Sequence, residues 1–374
     1  MHQPLIVHVP TDTPANASVF LAGSLPGVGI WKADGVQLAR ADDGTYSGSL
    51  ALEAGQTLEY KFTLGRWDAV EKAADGSDRA NRVMLVDATA APIMATVERW
   101  ASEPVRVNTV VGSLQIVQVP AFGSHGARTI RVWLPPSYDA NGGQARFPVL
   151  YLQDGQNCFD RATSAYGSEW QVDETLTRLI AEGSLPPLIA VGIDNAGVDR
   201  TREYTFDVDP QDGGGGGAEY ADLVLRGVMP FVEQAYRVQT GPAGTFIGGS
   251  SLGALVSLEV ARRHPGVFGG VLAMSPALWW DNQTTVADTA ADPAGLAGTR
   301  VWIDIGTREV VPLAPAGSMD PQNQLAVEEA RRLDDALRQA GIETKLTVDE
   351  GAQHNEIAWA KRFPAAVRYL LARQ

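Results

Sequence analysis

The chain has 374 residues, 45% of them hydrophobic and 20% charged, which is enough for about two domains with large cores. Its 44 acidic and 30 basic side chains give a formal net charge of −14, which argues against wide non-specific binding to nucleic acid or anionic membranes, because such binding needs a basic face. No apolar run approaches the roughly 18 residues of a membrane span. A single cysteine excludes an internal disulfide and a zinc site built from several cysteines.

The first residues lack the basic start, the long apolar stretch and the small-residue cleavage site of a signal peptide. This pattern is compatible with a cytoplasmic protein, and equally with a secreted or periplasmic protein whose leader has been removed. The compartment therefore stays open.

The first hundred residues have the periodicity of short β-strands. In residues 57–64 every second side chain is apolar, which predicts a strand with one buried face. Further β-prone runs are separated by glycine-containing turns, and they lie at residues 5–9, 18–22, 46–52, 82–86 and 93–97. About six or seven short strands without a helix predict a small, antiparallel, immunoglobulin-like β-sandwich over residues 1–103.

From about residue 105 the strands alternate with helices. Almost wholly apolar runs, typical of strands buried on both faces, lie at residues 147–152, 188–193, 245–247, 271–274 and 301–305. An apolar stripe predicts a helix over residues 321–340, with Asp320 as its cap and Gly341 as its stop. The five glycines at 213–217 are interpreted as a surface loop. Residues 104–374 are thus predicted to form an α/β domain with a mostly parallel sheet.

A nucleophile is predicted at Ser251. The stretch Gly249-Ser250-Ser251-Leu252-Gly253 has the pattern Gly-x-Ser-x-Gly, with an apolar strand before it and a helix after it. In an α/β-hydrolase this arrangement is a sharp turn that exposes the serine hydroxyl at the carboxyl end of the sheet. The alternative is a chance glycine-rich turn, but the flanking strand and helix favour the hydrolase interpretation.

A serine nucleophile needs a base, and in this fold the chain order is serine, acid, histidine. Only His264 and His354 follow Ser251. His264 ends the helix after the sharp turn and is interpreted as a helix cap, whereas His354 follows a strand and is predicted to be the base. The acid has two candidates on one strand, Asp304 within it and Glu309 just beyond it, and we choose Glu309.

An oxyanion hole is predicted from two backbone N–H groups, those of Leu252 and Gln156. Gln156 lies in the loop after the first apolar strand, where Gly155 allows an amide to turn inward. An ordinary β-turn at Asp154-Gly155 is the alternative. Asp154 is also predicted to border the substrate.

Five separated motifs resemble the putative esterase family, which includes esterase D and enterochelin, feruloyl and acetylxylan esterases, together with mycolyltransferases. The motifs are residues 149–155, 248–253, 275–280, 306–309 and 354–356. The resemblance covers roughly residues 105–374 and implies an α/β-hydrolase that cleaves carboxylic esters without a metal. It implies Ser251, Glu309 and His354 as a triad with Leu252 and Gln156 as oxyanion donors. Many relatives have aspartate where Glu309 stands.

The resemblance also directs attention to Arg200 and Glu203, which follow an apolar strand and are expected either to border the pocket or to form a surface ion pair. Trp279 and Trp280 follow another strand. Two adjacent tryptophans on a rim could stack on a sugar or an aromatic acyl group, and the alternative is that one of them belongs to the core.

The N-terminal region resembles a starch-binding carbohydrate-binding module over about residues 5–90. The matching runs are residues 19–31, 60–62 and 81–82. The resemblance implies that Trp31 contacts sugar rings, with Trp67 as a looser second candidate. The module is expected either to contact a polysaccharide or to line one side of the catalytic pocket.

These observations predict a serine carboxylic ester hydrolase that acts through an acyl-enzyme on carbohydrate-linked or aryl esters of the feruloyl or acetyl type. One alternative is a siderophore trilactone esterase, with Arg200 and Arg202 meeting an anionic substrate. Another is a non-catalytic sugar-binding protein on a hydrolase scaffold. Transfer of the acyl group to a sugar also stays open. No cofactor, metal, nucleic acid or membrane partner is expected.

Overall fold

The computed structural model describes residues 2–14, 16–41, 43–86, 92–101, 108–165, 167–309 and 321–372. The chain divides into two compact units, one of residues 1–107 with 165–167 and one of residues 108–164 with 168–374. The predicted domain boundary after residue 103 falls outside the described residues and stays a prediction. Among the described helices, none has both the length and the apolar character that crossing a bilayer requires.

The N-terminal unit is built from short strands. They are β1 (His2–His8), β2 (Val19–Gly23), β3 (Val36–Arg40), β4 (Tyr46–Ala51), β5 (Thr57–Thr63), β6 (Glu71–Lys72), β7 (Arg82–Leu85), β8 (Ile93–Thr96) and β9 (Arg99–Trp100). Seven of them form a sheet in the order β7-β5-β2-β3-β4-β1-β8, and β6 pairs with β9. All neighbours are antiparallel except β1 and β8. Alternate residues of β5, including Leu58 and Phe62, are buried in the core of this unit.

Ten strands lie in the described residues of the second unit. They are β10 (Ser113–Val119), β11 (Arg128–Leu134), β12 (Val149–Gln153), β13 (Ile189–Ile193), β14 (Val208–Asp209), β15 (Gly213–Gly214), β16 (Thr245–Ser250), β17 (Gly270–Met274), β18 (Arg300–Arg308) and β19 (Thr344–Gln353). Eight form a sheet in the order β10-β11-β13-β12-β16-β17-β18-β19. The pairs that include β11 are antiparallel and the other five are parallel, which confirms the predicted fold class.

Helices cover both faces of this sheet. They are α1 (Val172–Ala181), α2 (Arg200–Glu203), α3 (Gly217–Asp222), α4 (Met229–Ala235), α5 (Leu252–Arg263), α6 (Trp280–Ala291), α7 (Pro321–Gln339) and α8 (Glu356–Leu371). Successive residues of β12 point to opposite faces, so Tyr151 joins the core under α5 and α7, whereas Leu152 joins the core under α1 and α8. The proposed cap of α7, Asp320, lies outside the described residues.

The interpretation of residues 213–217 as a loop was wrong. Gly213–Gly214 pair with Val208–Asp209, and Gly217 begins α3. A Cβ atom on Gly214 would lie 2.2 Å from Thr205 Oγ1, so the backbone packs more closely here than a side chain would allow.

Candidate active site

Ser251 lies at the sharp turn between β16 and α5. Its backbone has φ 57° and ψ −126°, a conformation that costs on the order of 1–3 kcal/mol in a residue other than glycine. A Cβ atom on Gly249 would lie 2.6 Å from the carbonyl carbon of Gly253, and one on Gly253 would lie 2.9 Å from Gln153 Cβ. Both glycines are therefore required by close packing around the turn, which places Ser251 at the carboxyl end of the sheet.

Glu309 and His354 follow the neighbouring parallel strands β18 and β19, so they lie at the same edge of the sheet as Ser251. The Oε2 atom of Glu309 is 2.5 Å from the Nδ1 atom of His354. The rings of Trp359 and His354 meet edge to face at a centroid distance of 5.0 Å and an interplanar angle of 84°. The imidazole is thus oriented from two sides.

The second oxygen of Glu309 also has partners. Its Oε1 atom accepts hydrogen bonds from the Gly306 N–H at 2.5 Å and the Ser275 hydroxyl at 2.7 Å. Burial alone would raise the pKa of Glu309, but the hydrogen bond and charge of His354, together with these two donors, outweigh burial and hold the pKa below its ordinary value. The carboxylate is therefore ionised at neutral pH.

The loop after β12 forms one tight turn over Gly155–Asn157, preceded by Asp154 in the left-handed region at φ 55°. A Cβ atom on Gly155 would lie 2.4 Å from the backbone of Gly192 on β13, so only glycine fits this contact. Leu252 begins α5, where N–H groups have no partner within the helix. Gln156 and Leu252 thus lie in turns at the carboxyl ends of adjacent strands, as the oxyanion prediction requires.

Cys158 closes the same loop. Its thiol is fully buried and lies 3.6 Å from the carbonyl oxygen of Asp154. Burial raises the pKa of this thiol well above its ordinary value, which makes the thiol a poor nucleophile.

Arg200 and Glu203 do not form the surface ion pair considered above. Arg200 binds Asp154 through Nε at 2.7 Å and Nη2 at 2.8 Å. The buried Glu203 instead accepts a hydrogen bond from Arg128 at 2.9 Å and lies 2.9 Å from His125 Nδ1. Glu203 thereby belongs to a buried ion cluster, and its role in substrate binding stays a prediction, whereas Asp154 and Arg200 adjoin the loop after β12.

The two adjacent tryptophans differ in exposure. Trp279 is 52% exposed, whereas Trp280 is 4% exposed and donates a hydrogen bond from Nε1 to the carbonyl oxygen of Asp207 at 3.0 Å. The alternative of a core tryptophan therefore describes Trp280, because its ring and its N–H are both used inside the fold.

In the N-terminal unit, Trp31 lies next to Trp67, the second candidate for sugar contact. The rings of Trp31 and Trp67 are 6.3 Å apart at an interplanar angle of 41°, and both side chains are partly exposed. Two partly exposed rings side by side form an aromatic surface of the kind that stacks on sugars.

Sequence analysis missed a group of buried residues behind Glu309. Ser275 follows β17, and Arg362 and Trp359 lie on α8, with both side chains directed at the Ser275 hydroxyl. Asp304, the rejected candidate for the acid, is fully buried on β18 and forms an ion pair with Arg362 at 3.2 Å. The position of Arg362 on the apolar face of α8 indicates a charge in the core, but it does not identify the partner of that charge.

Glu356, the first residue of α8, was missed as well. Its Oε1 atom lies 3.4 Å from Asn157 Nδ2, and burial raises the pKa of its carboxyl group to about 7. The charges of His354 and Arg200 lower that pKa in part, which places Glu356 within electrostatic reach of the site.

Among the described residues, one group of carboxylates is close enough to hold a metal ion. Oxygen atoms of Glu169, Asp173 and Glu174 lie within 4.8 Å of one another. Burial raises the pKa of Glu169 to about 7. The Val111 N–H donates to Asp173 at 2.6 Å, and Thr109 donates to Glu169, so protein donors already satisfy part of this group.

Comparison with known proteins identifies the family. A model described as putative esterase matches residues 124–370, which is more than half of the chain. The chain belongs to the putative esterase family. It is accordingly a carboxylic ester hydrolase, as its sequence motifs predict. A second model, described as starch binding domain, matches residues 4–92 and confirms the resemblance of the N-terminal region.

Two of the curated relatives each match more than half of this chain. The uncharacterized protein YbbA of Bacillus subtilis is 25% identical over 254 residues, which is 66% of this chain and 93% of YbbA. The siderophore enterobactin esterase of Emericella nidulans is 28% identical over 238 residues, which is 57% of this chain and 78% of that enzyme.

Solved structures share the fold at low sequence identity. The enterobactin esterase of Shigella flexneri is similar over 99% of this chain and 92% of its own, with a TM-score of 0.56 and 14% identity. A ferulic acid esterase is similar over 69% of this chain and 98% of its own, with a TM-score of 0.51 and 17% identity.

Proposed function

We propose that this esterase is a serine hydrolase with Ser251, His354 and Glu309 as its triad. The observation that carries the proposal is the 2.5 Å contact between Glu309 Oε2 and His354 Nδ1 at the sheet edge where the Ser251 turn lies. With Nδ1 donating to an ionised carboxylate, the Nε2 atom of His354 carries a lone pair, which makes it a base.

The reaction follows from these proton positions. Ser251 Oγ attacks the ester carbonyl carbon while its proton passes to His354 Nε2, and the N–H groups of Leu252 and Gln156 receive the developing oxyanion. The tetrahedral intermediate expels the alcohol, which takes the proton from His354. Water then attacks the acyl-enzyme and loses a proton to His354. The second tetrahedral intermediate collapses, Ser251 Oγ takes this proton back from His354, and the carboxylic acid leaves.

For the substrate we favour a carbohydrate-linked or aryl ester. Trp279 is half exposed after β17, where a sugar or an aromatic acyl group could stack, and a ferulic acid esterase shares the fold. A siderophore ester is the second candidate, because one relative is named a siderophore enterobactin esterase. An anionic siderophore would need a positive charge in the site. The positive charge of Arg200 is already neutralised by its ion pair with Asp154, which favours the first candidate.

We assign carbohydrate contact to the N-terminal unit through Trp31 and Trp67. Residues 4–92 match a starch binding domain, and these two rings are partly exposed and adjacent. The proposal names this aromatic pair as the contact surface.

The triad is tested by labelling the protein with a fluorophosphonate and locating the modified residue by mass spectrometry. We expect modification of Ser251 alone, and we expect Ser251→Ala to reduce hydrolysis of p-nitrophenyl acetate by at least about 10³-fold. A matched control is Thr245→Val, which removes a buried hydroxyl at the amino end of the same strand. Retained turnover in folded Ser251→Ala protein would refute the mechanism, whereas an unaltered protein that hydrolyses no ester but is pulled down with α-glucan would favour the non-catalytic alternative.

The substrate is tested with a panel of feruloyl and acetyl sugars and ferric enterobactin. We expect the highest kcat/KM for the sugar or aryl esters. A preference for enterobactin would support the siderophore candidate, and acylated sugar among the products would identify acyl transfer.

A further inference from the structure

The hydroxyl group of Ser275 has all of its hydrogen bonds occupied. It lies 2.7 Å from Glu309 Oε1, 2.8 Å from Arg362 Nη2 and 3.1 Å from Trp359 Nε1. An indole N–H and a guanidinium can only donate, so they fill the acceptor positions of the hydroxyl. Its single proton must then point to Glu309.

The direction of the Ser275 proton also bears on the proton positions of Glu309 and His354. Glu309 Oε1 receives the Ser275 proton and the Gly306 N–H, so it accepts on both lone pairs and carries no proton itself. The remaining oxygen, Oε2, faces His354 Nδ1, and because the pKa of Glu309 lies below its ordinary value the ionised carboxylate accepts there too. The imidazole is thereby held in the tautomer whose Nε2 atom is a base.

Arg362 connects this group to a second carboxylate. Its side chain is buried and lies 3.2 Å from Asp304 Oδ1 and 3.9 Å from Glu309 Oε1, so one cation lies between two buried acids. Asp304 also accepts a hydrogen bond from Trp302 Nε1 at 2.8 Å. These partners offset only part of the effect of burial, which raises the pKa of Asp304 to about 6.

The backbone of Ser275 is held in an uncommon conformation. Its φ is 41°, in the left-handed region, and its N–H donates to the carbonyl oxygen of Asp304 at 2.8 Å. Such a conformation persists in a residue other than glycine only where its surroundings fix it. Ser275 is thus a rigid point between β17, β18 and α8.

We propose that Ser275 is a positioning residue for ester hydrolysis: its hydroxyl, held by Arg362 and Trp359, keeps Glu309 ionised and oriented toward His354. The proposal rests on the triad proposed above. Ser275 is buried and its hydroxyl donates to Glu309, so it acts through Glu309.

The test is Ser275→Ala, with kcat and KM measured across pH. Without the hydroxyl donor, Glu309 loses one of the partners that keep it ionised and aligned, so it stabilises the imidazolium less well. We expect the acid limb of kcat/KM to move to lower pH by about 0.5 unit or more, and kcat to fall by roughly 10- to 100-fold with KM within about twofold. Ser275→Cys, a near-isostere with a weak donor, is the second variant if the alanine variant folds poorly.

Two comparisons separate the possible results. Thr245→Val also removes a buried hydroxyl, and we expect it to lower stability without moving the acid limb. An unmoved limb and unchanged kcat in either folded Ser275 variant would overturn the positioning role while the triad stands. If the fluorophosphonate does not modify Ser251 in the unaltered protein, the triad fails, and the role of Ser275 fails with it.

Discussion

The two units of this protein position their functional side chains by different physical means. In the esterase unit, Glu309 and Arg362 are buried, and each is held by several hydrogen bonds or ion pairs. In the N-terminal unit, Trp31 and Trp67 lie side by side, partly exposed, and form an aromatic surface. Chemistry that moves protons needs charges fixed in a low dielectric, whereas stacking needs only accessible ring area. The two units should therefore respond differently to substitution.

The largest effect is expected at the buried acid. Glu309→Gln keeps the size of the side chain but removes the charge that stabilises the imidazolium, so kcat/KM for p-nitrophenyl acetate should fall by about 10³- to 10⁴-fold. Asp304→Asn, on the strand that leads to Glu309, is the matched variant, and its loss should be smaller because Asp304 pairs with Arg362 and not with His354. A larger loss in Asp304→Asn than in Glu309→Gln would transfer the role of acid to Asp304.

A smaller, pH-dependent effect is expected at Glu356. Its pKa is about 7 in the fold and lower in the unfolded chain, so the folded state binds more protons between these values. The free energy of unfolding should therefore fall as pH rises from about 4.5 to 7. Glu356→Gln removes this dependence. The difference in free energy of unfolding between the variant and the unaltered protein should therefore shift in favour of the variant by about 1–3 kcal/mol from pH 5 to pH 8.

Urea unfolding at pH 5 and pH 8 measures this difference directly. Glu350→Gln, at an exposed position on β19, serves as the control and should show the same pH dependence as the unaltered protein. Parallel pH curves for Glu356→Gln and the unaltered protein would show that Glu356 keeps an ordinary pKa in the fold.

The smallest effect on hydrolysis is expected at the aromatic surface. Trp31→Ala should weaken retention on insoluble starch by roughly tenfold, because one of two adjacent rings is lost, and should leave turnover of p-nitrophenyl acetate within about twofold. Trp279→Ala is the reciprocal variant and should raise KM for a feruloyl sugar without affecting starch retention. Equal loss of starch retention in both variants would contradict the separation of roles.

Local patterns were sufficient to predict most of the fold. The parallel strands were recognised because both of their faces are buried, which leaves continuous apolar runs such as residues 188–193. Strand β3 was missed because only Val36 and Leu38 alternate within it, and a single such pair does not stand out from a loop. The glycine run at 213–217 was misread because glycines that allow tight packing look the same in sequence as those of a flexible loop.

In the candidate site, too, residues with a local sequence pattern were predicted and residues that depend on long-range contacts were not. Ser251 was predicted from neighbours within two residues, whereas Ser275 and Arg362 meet across 87 positions of the chain and no local pattern records that contact. Trp279 and Trp280 are identical in type and adjacent, so their difference in exposure depends on how the chain turns into α6. Long-range hydrogen bonds and side-chain direction were therefore the information that the sequence did not provide.

The single thiol, Cys158, provides a built-in reporter for the protein's opening motions. Because it is enclosed two residues after Gln156, a reagent such as dithionitrobenzoate can reach it only when the segment that carries this proposed oxyanion donor opens. The rate of colour development in native buffer would then measure how often that segment opens, with no label or substitution needed.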